Sequence, residues 1–149
     1  MTRIIAGEAR GRTIKVPAEG TRPTADRARE GLFSSLTARW GFAGSSVLDL
    51  FAGSGALGLE AASRGAEEAV LVESSADAVK IIRHNMGVVK HPGVRVQEMK
   101  VGTYLASAPR KHFDLVLADP PYAFDEVDEL IAAIEPVLTD RAMVVIERH

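Results

Sequence analysis

The feature that most constrains the fold is a segment in which an apolar strand passes through two glycines into a helix. Residues 47–51, Val-Leu-Asp-Leu-Phe, predict a buried strand, and Gly53 and Gly55 follow it. Glycine has no Cβ, so these positions allow a tight turn and let a ligand approach the backbone. Residues 56–64 then predict a helix that ends at Gly65. A strand, a glycine turn and a helix in this order are typical of a parallel α/β sheet that binds its ligand at the strand ends.

The next strand adds a carboxylate to the same edge. Residues 69–73 predict a strand that ends in Glu73, where a carboxylate can accept hydrogen bonds from both ribose hydroxyls of an adenosine. The Gly-x-Gly-x-x-Gly spacing that begins at Gly53 matches the dinucleotide fingerprint, so NAD and S-adenosylmethionine both fit this part of the pattern. Asp49 favours S-adenosylmethionine, because a carboxylate before the glycines repels a pyrophosphate and attracts the ammonium of a methionine moiety.

A rigid corner follows a third apolar strand. Residues 113–119 predict this strand, and Asp119-Pro120-Pro121-Tyr122 ends it. Proline has no N–H group, and Pro120 keeps Asp119 out of the helical region. The corner therefore presents a carboxylate, free carbonyl oxygens and an aromatic ring side by side. An exocyclic base amine needs acceptors for its two N–H groups and a flat surface beside its ring, so the corner favours methyl transfer to such an amine.

Two motifs, Asp-x-Phe-Ala-Gly-Ser-Gly at 49–55 and Asp-Pro-Pro-Tyr at 119–122, resemble the class I S-adenosylmethionine-dependent methyltransferases that modify exocyclic amines of nucleobases. The amino-terminal segments at 3–7, 11–12 and 22–33 are similar to those of the bacterial small-subunit (16S) ribosomal-RNA guanine-N2 methyltransferases. The similarity spans essentially the whole chain. It implies a Rossmann-like, mostly parallel doubly wound sheet with a short amino-terminal hairpin. It also implies S-adenosylmethionine as the cofactor and guanine N2 of small-subunit ribosomal RNA as the target.

The motif positions and the resemblance together predict three sets of site residues. The catalytic residues are Asp119, Pro120, Pro121 and Tyr122. The cofactor-binding residues are Asp49, Phe51, Ala52, Gly53, Ser54, Gly55, Glu73, Ser74, Glu98 and Met99. The RNA-binding residues are Arg10, Arg12, Arg22, Thr24 and Arg27. In this prediction the Asp119 carboxylate and the Pro120 carbonyl accept the two amine N–H groups, and Tyr122 stacks on the unpaired base.

The chain departs from the family pattern in two places. Related enzymes often carry Asp or Asn beside the adenine after the third strand, whereas residues 94–99 are followed here by Lys100-Val101-Gly102. Backbone groups or Glu98 are therefore expected to contact the adenine. The second departure lies after the strand predicted at 142–147, where the two further strands of the usual seven-stranded sheet are absent. Either the chain is a shortened form, or the sheet ends early and leaves an apolar edge that favours self-association.

Basic residues are concentrated in the amino-terminal segment. The whole chain has a net charge of −2, but residues 1–40 carry eight Arg and Lys against four acids, or +4, and the remainder carries −6. This distribution predicts a phosphate-binding arm attached to an acidic cofactor domain. Seven of the eight basic residues are arginine, whose flat fork of donors suits phosphates and bases. The alternative is a solvated charged helix face.

Composition predicts one domain at 1–149, made of the basic arm (1–40) and a cofactor-binding and catalytic core (41–149). The absence of cysteine fits a reducing cytosol, and the predicted location is cytoplasmic. No apolar run approaches the roughly 20 residues of a membrane span, and the start lacks the apolar core of a signal peptide. The four histidines lack metal-ligand spacing, so no metal is expected. The predicted partner is small-subunit ribosomal RNA or the assembled small subunit, bound by a protein that is monomeric in its full-length form.

The remaining pattern predicts alternating strands and helices, and hence a parallel sheet covered on both faces. The predicted elements are a hairpin of Arg3–Gly7 and Arg12–Val16, a helix from about Thr24, a helix from Ser75, a strand at 94–99, a helical turn at 103–107, a helix at about 125–138 and a strand at 142–147. In the helix at 125–138 the apolar residues predicted to face inward are Val127, Leu130, Ile131, Ile134 and Val137.

Three other classes of function fit parts of the sequence. A DNA adenine-N6 methyltransferase would use the same corner on a similar amine, and only the amino-terminal resemblance opposes it. An NAD-dependent oxidoreductase is allowed by the glycine spacing but lacks a residue for hydride transfer. A nucleotide-binding module without catalysis is the third.

Overall fold

The computed structural model describes residues 1–16, 23–121 and 126–147, without the side chains of residues 23–28. Two predicted site residues, Arg22 and Tyr122, therefore lie outside the described residues, and Thr24 and Arg27 are described by their backbone alone.

Seven strands and five helices occupy the described residues. In chain order they are β1 (Thr2–Arg3), β2 (Thr13–Ile14), α1 (Pro23–Arg39), β3 (Ser46–Leu50), α2 (Ala56–Ser63), β4 (Glu68–Glu73), α3 (Ala76–Val89), β5 (Val94–Glu98), α4 (Val101–Ser107), β6 (Phe113–Ala118), α5 (Val127–Ile134), a 3-10 turn (Glu135–Val137) and β7 (Leu138–Ile146). No helix among the described residues combines the length and the apolar character that crossing a membrane requires.

The five longer strands form one sheet in the order β5-β4-β3-β6-β7, and every neighbouring pair is parallel. β3 lies at the centre, so the chain builds one half of the sheet from β3 outward and then returns to build the other half. This reversal of direction is the topological switch point at which open α/β sheets bind their ligands. The predicted parallel, doubly wound sheet is confirmed.

The sheet is buried on both faces, because the side chains of each strand alternate between two apolar clusters. One face packs against α1, α2 and α3 together with the β1–β2 hairpin, and Val47, Leu71 and Leu115 point into it. The other face packs against α4 and α5, and Leu48 and Val116 point into that cluster. The helices therefore cover both faces of the sheet. The two ends of the parallel strands are left as the positions for polar groups.

The amino-terminal hairpin is shorter than predicted, because two of its N–H groups bond to a helix instead of to the facing strand. Ile5 and Ala6 donate to the two carboxylate oxygens of the buried Glu60 on α2, at 2.8 and 3.1 Å. Gly7 lies so close to α2 that a Cβ there would be 1.7 Å from the Ser63 carbonyl oxygen. The hairpin is thus fixed on α2 by long-range contacts that no local pattern shows.

Three further expectations need correction. Ile131 was predicted to face inward and is 45% exposed, because Val127, Leu130 and Ile134 fill the buried stripe of α5 and Ile131 lies beside it. The helix predicted to reach 138 ends as α5 at Ile134 and continues only as a 3-10 turn. The last strand begins at residue 138 rather than 142, since Leu138 already pairs with Phe113 across an irregularity in the ladder.

Candidate active site at the carboxyl ends of three strands

The site forms where β3, β4 and β6 end side by side. In the parallel register Leu50 lies opposite Val72 on one side and Ala118 on the other. The residues after these positions, Phe51, Glu73 and Asp119, therefore meet at one edge of the sheet. Sequence order predicted each strand end separately, and the strand order brings them together at the switch point.

The glycine turn after β3 uses its glycines for different reasons. Gly53 has φ +60°, a left-handed conformation that favours glycine, and a Cβ there would meet no atom within 4 Å. Gly55 has φ +82°, and a Cβ there would lie 2.8 Å from the Leu71 side chain. A Cβ at Gly55 would thus force the Leu71 side chain to shift, whereas the space beside Gly53 is open for a ligand.

Phe51, the residue between the strand and the turn, has φ +57°. A bulky residue in the left-handed region is strained, and such strain is concentrated at functional sites. Its half-buried ring packs against the apolar cluster of α4 and α5 and lines the neighbouring cavity. The sequence marked Phe51 as part of the motif but gave no sign of this conformation.

Glu73 is held in place by backbone donors from both sides. One carboxylate oxygen accepts from the Gly53 N–H at 2.8 Å, and the other accepts from the Ser75 N–H at 2.9 Å. Each carboxylate oxygen has two acceptor positions, so a lone pair remains on each for a ligand hydroxyl. The carboxylate predicted to bind ribose therefore also connects the end of β4 to the glycine turn, 20 residues earlier in the chain.

Asp49, next to the end of β3, is the most strongly perturbed acid of the site. It is 1% exposed and accepts the Gly58 N–H of α2 at 2.9 Å. Burial raises the pKa of Asp49 to about 8, the Gly58 hydrogen bond opposes the rise, and the charges of Asp119 and Glu73 add to it. Asp49 thus lies close enough to Asp119 and to Glu73 for their charges to disfavour its ionised form, which is typical of functional sites.

The corner after β6 is described as far as Pro121. Asp119 is half-buried, Pro120 is buried and Pro121 is exposed. Beside it, the Glu147 N–H donates to the Ala118 carbonyl at 2.8 Å, which fixes the end of β6. The predicted stacking residue, Tyr122, lies outside the described residues, and its role stays a prediction.

A cavity of about 490 Å³ opens beside the end of β4, within the size range of small-molecule sites. Its lining residues are Phe51, Val72, Glu73, Ser74, Lys100, Val101, Gly102, Leu105, Glu126, Glu129, Leu130 and Ala133. The predicted contacts Glu98 and Met99 lie just before this wall, and the Met99 N–H donates to the Glu73 carbonyl at 3.1 Å. Sequence reasoning did not predict the apolar lining by Val101, Leu105 and Leu130. The four-residue spacing of Val101 and Leu105 after β5 is a signal for part of it.

Of the predicted RNA-binding residues that the structure describes, Arg10 and Arg12 lie in the hairpin segment and Thr24 and Arg27 lie in α1. Arg10 is exposed. Arg12 donates through Nη1 to the Val88 and Val89 carbonyls at 3.2 and 3.0 Å, so it caps the carboxyl end of α3. Groups of three or more potential metal ligands are absent from the described ranges.

Comparisons with known proteins identify the family and the fold. A family model described as conserved hypothetical protein 95 matches residues 2–149. The ribosomal RNA small subunit methyltransferase D of Escherichia coli K12 is 38% identical over 148 residues, which cover 97% of this chain and 73% of the relative. The solved structure of the Escherichia coli protein yhhF has a TM-score of 0.84 at 38% identity, covering 97% of this chain and 79% of that one. A precorrin-6y C5,15-methyltransferase from Geobacter metallireducens has a TM-score of 0.71 at 19% identity, covering 89% and 66%, and it shows the fold alone.

The fold is that of a Rossmann-like methyltransferase. The chain belongs to the family of the ribosomal RNA small subunit methyltransferase D. The resemblance seen in the sequence motifs is therefore confirmed at the level of the family.

Proposed function

We propose that this protein transfers a methyl group from S-adenosylmethionine to the exocyclic N2 amine of a guanine in small-subunit ribosomal RNA. The observation that carries the proposal is the meeting of three carboxyl groups, Asp49, Glu73 and Asp119, with an Asp-Pro-Pro corner at the sheet's switch point. Family membership supports the substrate class, because relatives at 38% identity are named ribosomal RNA small subunit methyltransferases.

The charge of the site favours a cationic cofactor over a dinucleotide. S-adenosylmethionine carries an ammonium and a sulfonium, whereas NAD carries two phosphates. The pKa of Asp49 is raised by burial and by two neighbouring carboxylates, so a nearby cation would stabilise its ionised form and a phosphate would oppose it. The NAD-dependent alternative is disfavoured for this reason.

The adenosine end of the cofactor fits the cavity beside Glu73. The free lone pairs of the Glu73 carboxylate suit two ribose hydroxyls, and the apolar side chains of Val101, Leu105 and Leu130 suit the faces of a purine. The open space beside Gly53 leaves room for a ligand against the backbone. Backbone groups near Lys100 and Val101 are our candidates for recognition of the adenine edge.

The reaction requires the protein to orient a poor nucleophile. The lone pair of a guanine amine is delocalised into the ring, and S-adenosylmethionine, when bound, supplies an electrophilic methyl group. Acceptance of the two amine N–H groups by the Asp119 carboxylate and the Pro120 carbonyl favours the pyramidal geometry in which the nitrogen lone pair is available. Positioning of this kind can supply much of the acceleration, and Tyr122 would hold the base by stacking.

A methyl-transfer assay tests the proposal. The protein and radiolabelled S-adenosylmethionine would be incubated separately with small-subunit ribosomal RNA, with assembled small subunits and with DNA that lacks methylated adenine. The nucleic acids would then be digested and their nucleosides separated by chromatography. We expect label in N2-methylguanosine from one of the two ribosomal substrates. Label in N6-methyladenine from DNA, or calorimetric binding of NAD without binding of S-adenosylhomocysteine, would contradict it.

A further inference from the structure

A buried asparagine connects the amino-terminal arm to the cofactor turn. Asn85 lies on the inner face of α3 and is 0% exposed. Its Oδ1 accepts from the Lys15 N–H at 2.7 Å, and its Nδ2 donates to the Lys15 carbonyl at 2.8 Å and to the Ser54 carbonyl at 2.9 Å. Lys15 directly follows β2, and Ser54 is the middle residue of the Gly53-Ser54-Gly55 turn.

The chemistry of these bonds is specific to an amide side chain. An asparagine has two N–H donors and an acceptor, and here both donors and the oxygen are engaged. An aspartate would keep the acceptor for Lys15 but would turn a carboxylate toward two carbonyl oxygens. A leucine of similar size would leave the Lys15 and Ser54 backbone groups without these partners at a part-buried position, which is costly.

Other hydrogen bonds of the described hairpin residues go to α2 rather than to the cofactor turn. Glu60 accepts from Ile5 and Ala6, while Ser63 Oγ accepts from Ala9 at 2.9 Å and donates to the Ala6 carbonyl at 2.6 Å. These bonds fix the hairpin on α2, 22 or more residues before Asn85 in the chain. Asn85 differs from them because one side chain holds the arm and the cofactor turn together.

We propose that Asn85 is a positioning residue that couples cofactor binding to RNA binding. The inference rests on the proposed function, which places the cofactor at the glycine turn and RNA on the arm. A cofactor that orders the turn fixes the Ser54 carbonyl, and through Asn85 it fixes the backbone at Lys15. Two ligands that stabilise the same arrangement bind with positive and reciprocal coupling.

The test measures the coupling factor itself. The affinity of unmodified small-subunit ribosomal RNA would be measured with and without saturating S-adenosylhomocysteine, whose own affinity would be measured by calorimetry. For the unaltered protein we expect the cofactor product to lower the RNA Kd by about fivefold or more, within the usual range of coupling between sites. Asn85→Ala should reduce this factor to less than about twofold, and Asn85→Asp, which retains the acceptor for Lys15, should do the same.

Ser63→Ala is the matched control, because it removes two hydrogen bonds of the arm without touching the cofactor turn. It should weaken RNA binding while leaving the coupling factor near that of the unaltered protein. Circular dichroism would verify that each variant is folded.

The outcomes separate this inference from the proposed function. Failure of the unaltered protein to bind S-adenosylhomocysteine, or to bind ribosomal RNA either free or in the assembled small subunit, would overturn the proposed function. Binding of both ligands with a coupling factor near one would overturn the coupling alone. Loss of coupling in Ser63→Ala as large as that in Asn85→Ala would also overturn it, because any loosening of the arm would then have the same effect.

Discussion

The two ends of β4 hold their acidic side chains through different kinds of hydrogen-bond donor. At the amino edge Glu68, the first residue of β4, bonds to Arg95 and His112. At the carboxyl edge Glu73, the last residue of the same strand, is held by two backbone N–H groups, and Asp49 is buried with one. Glu68 is thus held by an arginine and a histidine side chain, whereas Glu73 and Asp49 are held by peptide N–H groups.

The pKa values of the two edges show the consequence. Burial alone would raise the pKa of Glu68, but the hydrogen bond and charge of His112, the Ser46 hydrogen bond and the charge of Arg95 lower it. Burial raises the pKa of Asp49 to about 8, and the charges of Asp119 and Glu73 reinforce the rise. The neighbours of Glu68 favour its ionised form. Asp49 is buried beside other carboxylates, so its ionised form costs stability, which is typical of groups in functional sites.

The largest expected effect is at Asp119. Asp119→Ala should lower methyl transfer by at least about 100-fold, because it removes an acceptor aimed at the reacting amine. The affinity for S-adenosylhomocysteine should stay within a few-fold, since the carboxylate is assigned to the target base. Single-turnover assays and calorimetry measure the two quantities. Near-native turnover in this variant would exclude the amine-acceptor mechanism.

The next effect distinguishes the two ends of β4. Glu73→Ala should weaken binding of S-adenosylhomocysteine by about 10- to 150-fold, the equivalent of about 1.5–3 kcal/mol for hydrogen bonds to a charged group. The matched control is Glu68→Ala, which removes the same side chain from the opposite end of the strand. It should leave cofactor affinity unchanged. Equal losses in the two variants would mean that the cavity beside Glu73 is not the cofactor site.

Asp49→Asn should raise the stability of the protein and lower its affinity for the cofactor. Because its folded pKa is raised from 3.8 to about 8, its neutral form favours folding, and its stabilising contribution is lost as pH rises between these values. Asp49→Asn keeps an acceptor for Gly58 and cannot ionise, so the variant should gain stability over the unaltered protein as pH rises toward 8. Its affinity for the cofactor should fall by about tenfold.

Denaturant titrations of both proteins between pH 5 and pH 8.5, with calorimetry at pH 8, measure these two effects. A stability difference that stays constant with pH would mean that Asp49 is already ionised in the folded protein. A variant with unchanged cofactor affinity would remove Asp49 from the binding site.

The smallest expected effect is a change in stability when Glu68 is replaced. The pKa of Glu68 is lowered from 4.5, so its contribution to stability is present above that value and is lost as pH falls through the folded pKa. Glu68→Gln should therefore be slightly less stable than the unaltered protein at neutral pH, and the difference should vanish in acid. Thermal unfolding at pH 7 and pH 3 measures it. Exposed ion pairs contribute little, so a change in Tm of more than a few degrees would indicate a larger structural role.

Local patterns predicted most of the fold. Ser75 was predicted to cap a helix, and its hydroxyl accepts the Ala78 N–H at 3.3 Å at the start of α3. Gly53 and Gly55 were predicted to turn the chain, and both have positive φ. These features depend on residues within a few positions of one another, so a single sequence contains the information for them. The predicted roles of the site residues, by contrast, await the experiments above.

The strand ends, the glycine turn and the Asp-Pro-Pro motif could be predicted from the sequence, and so could the family, because each depends on neighbouring residues. The interactions between these segments became visible only in the folded structure. Burial between neighbouring strands and α2 raises the pKa of Asp49, the hairpin packs on Glu60, and Asn85 joins Lys15, 70 residues away, to Ser54, 31 residues away. Such effects depend on the removal of water and on contacts between distant segments, which exist only once the sheet is assembled.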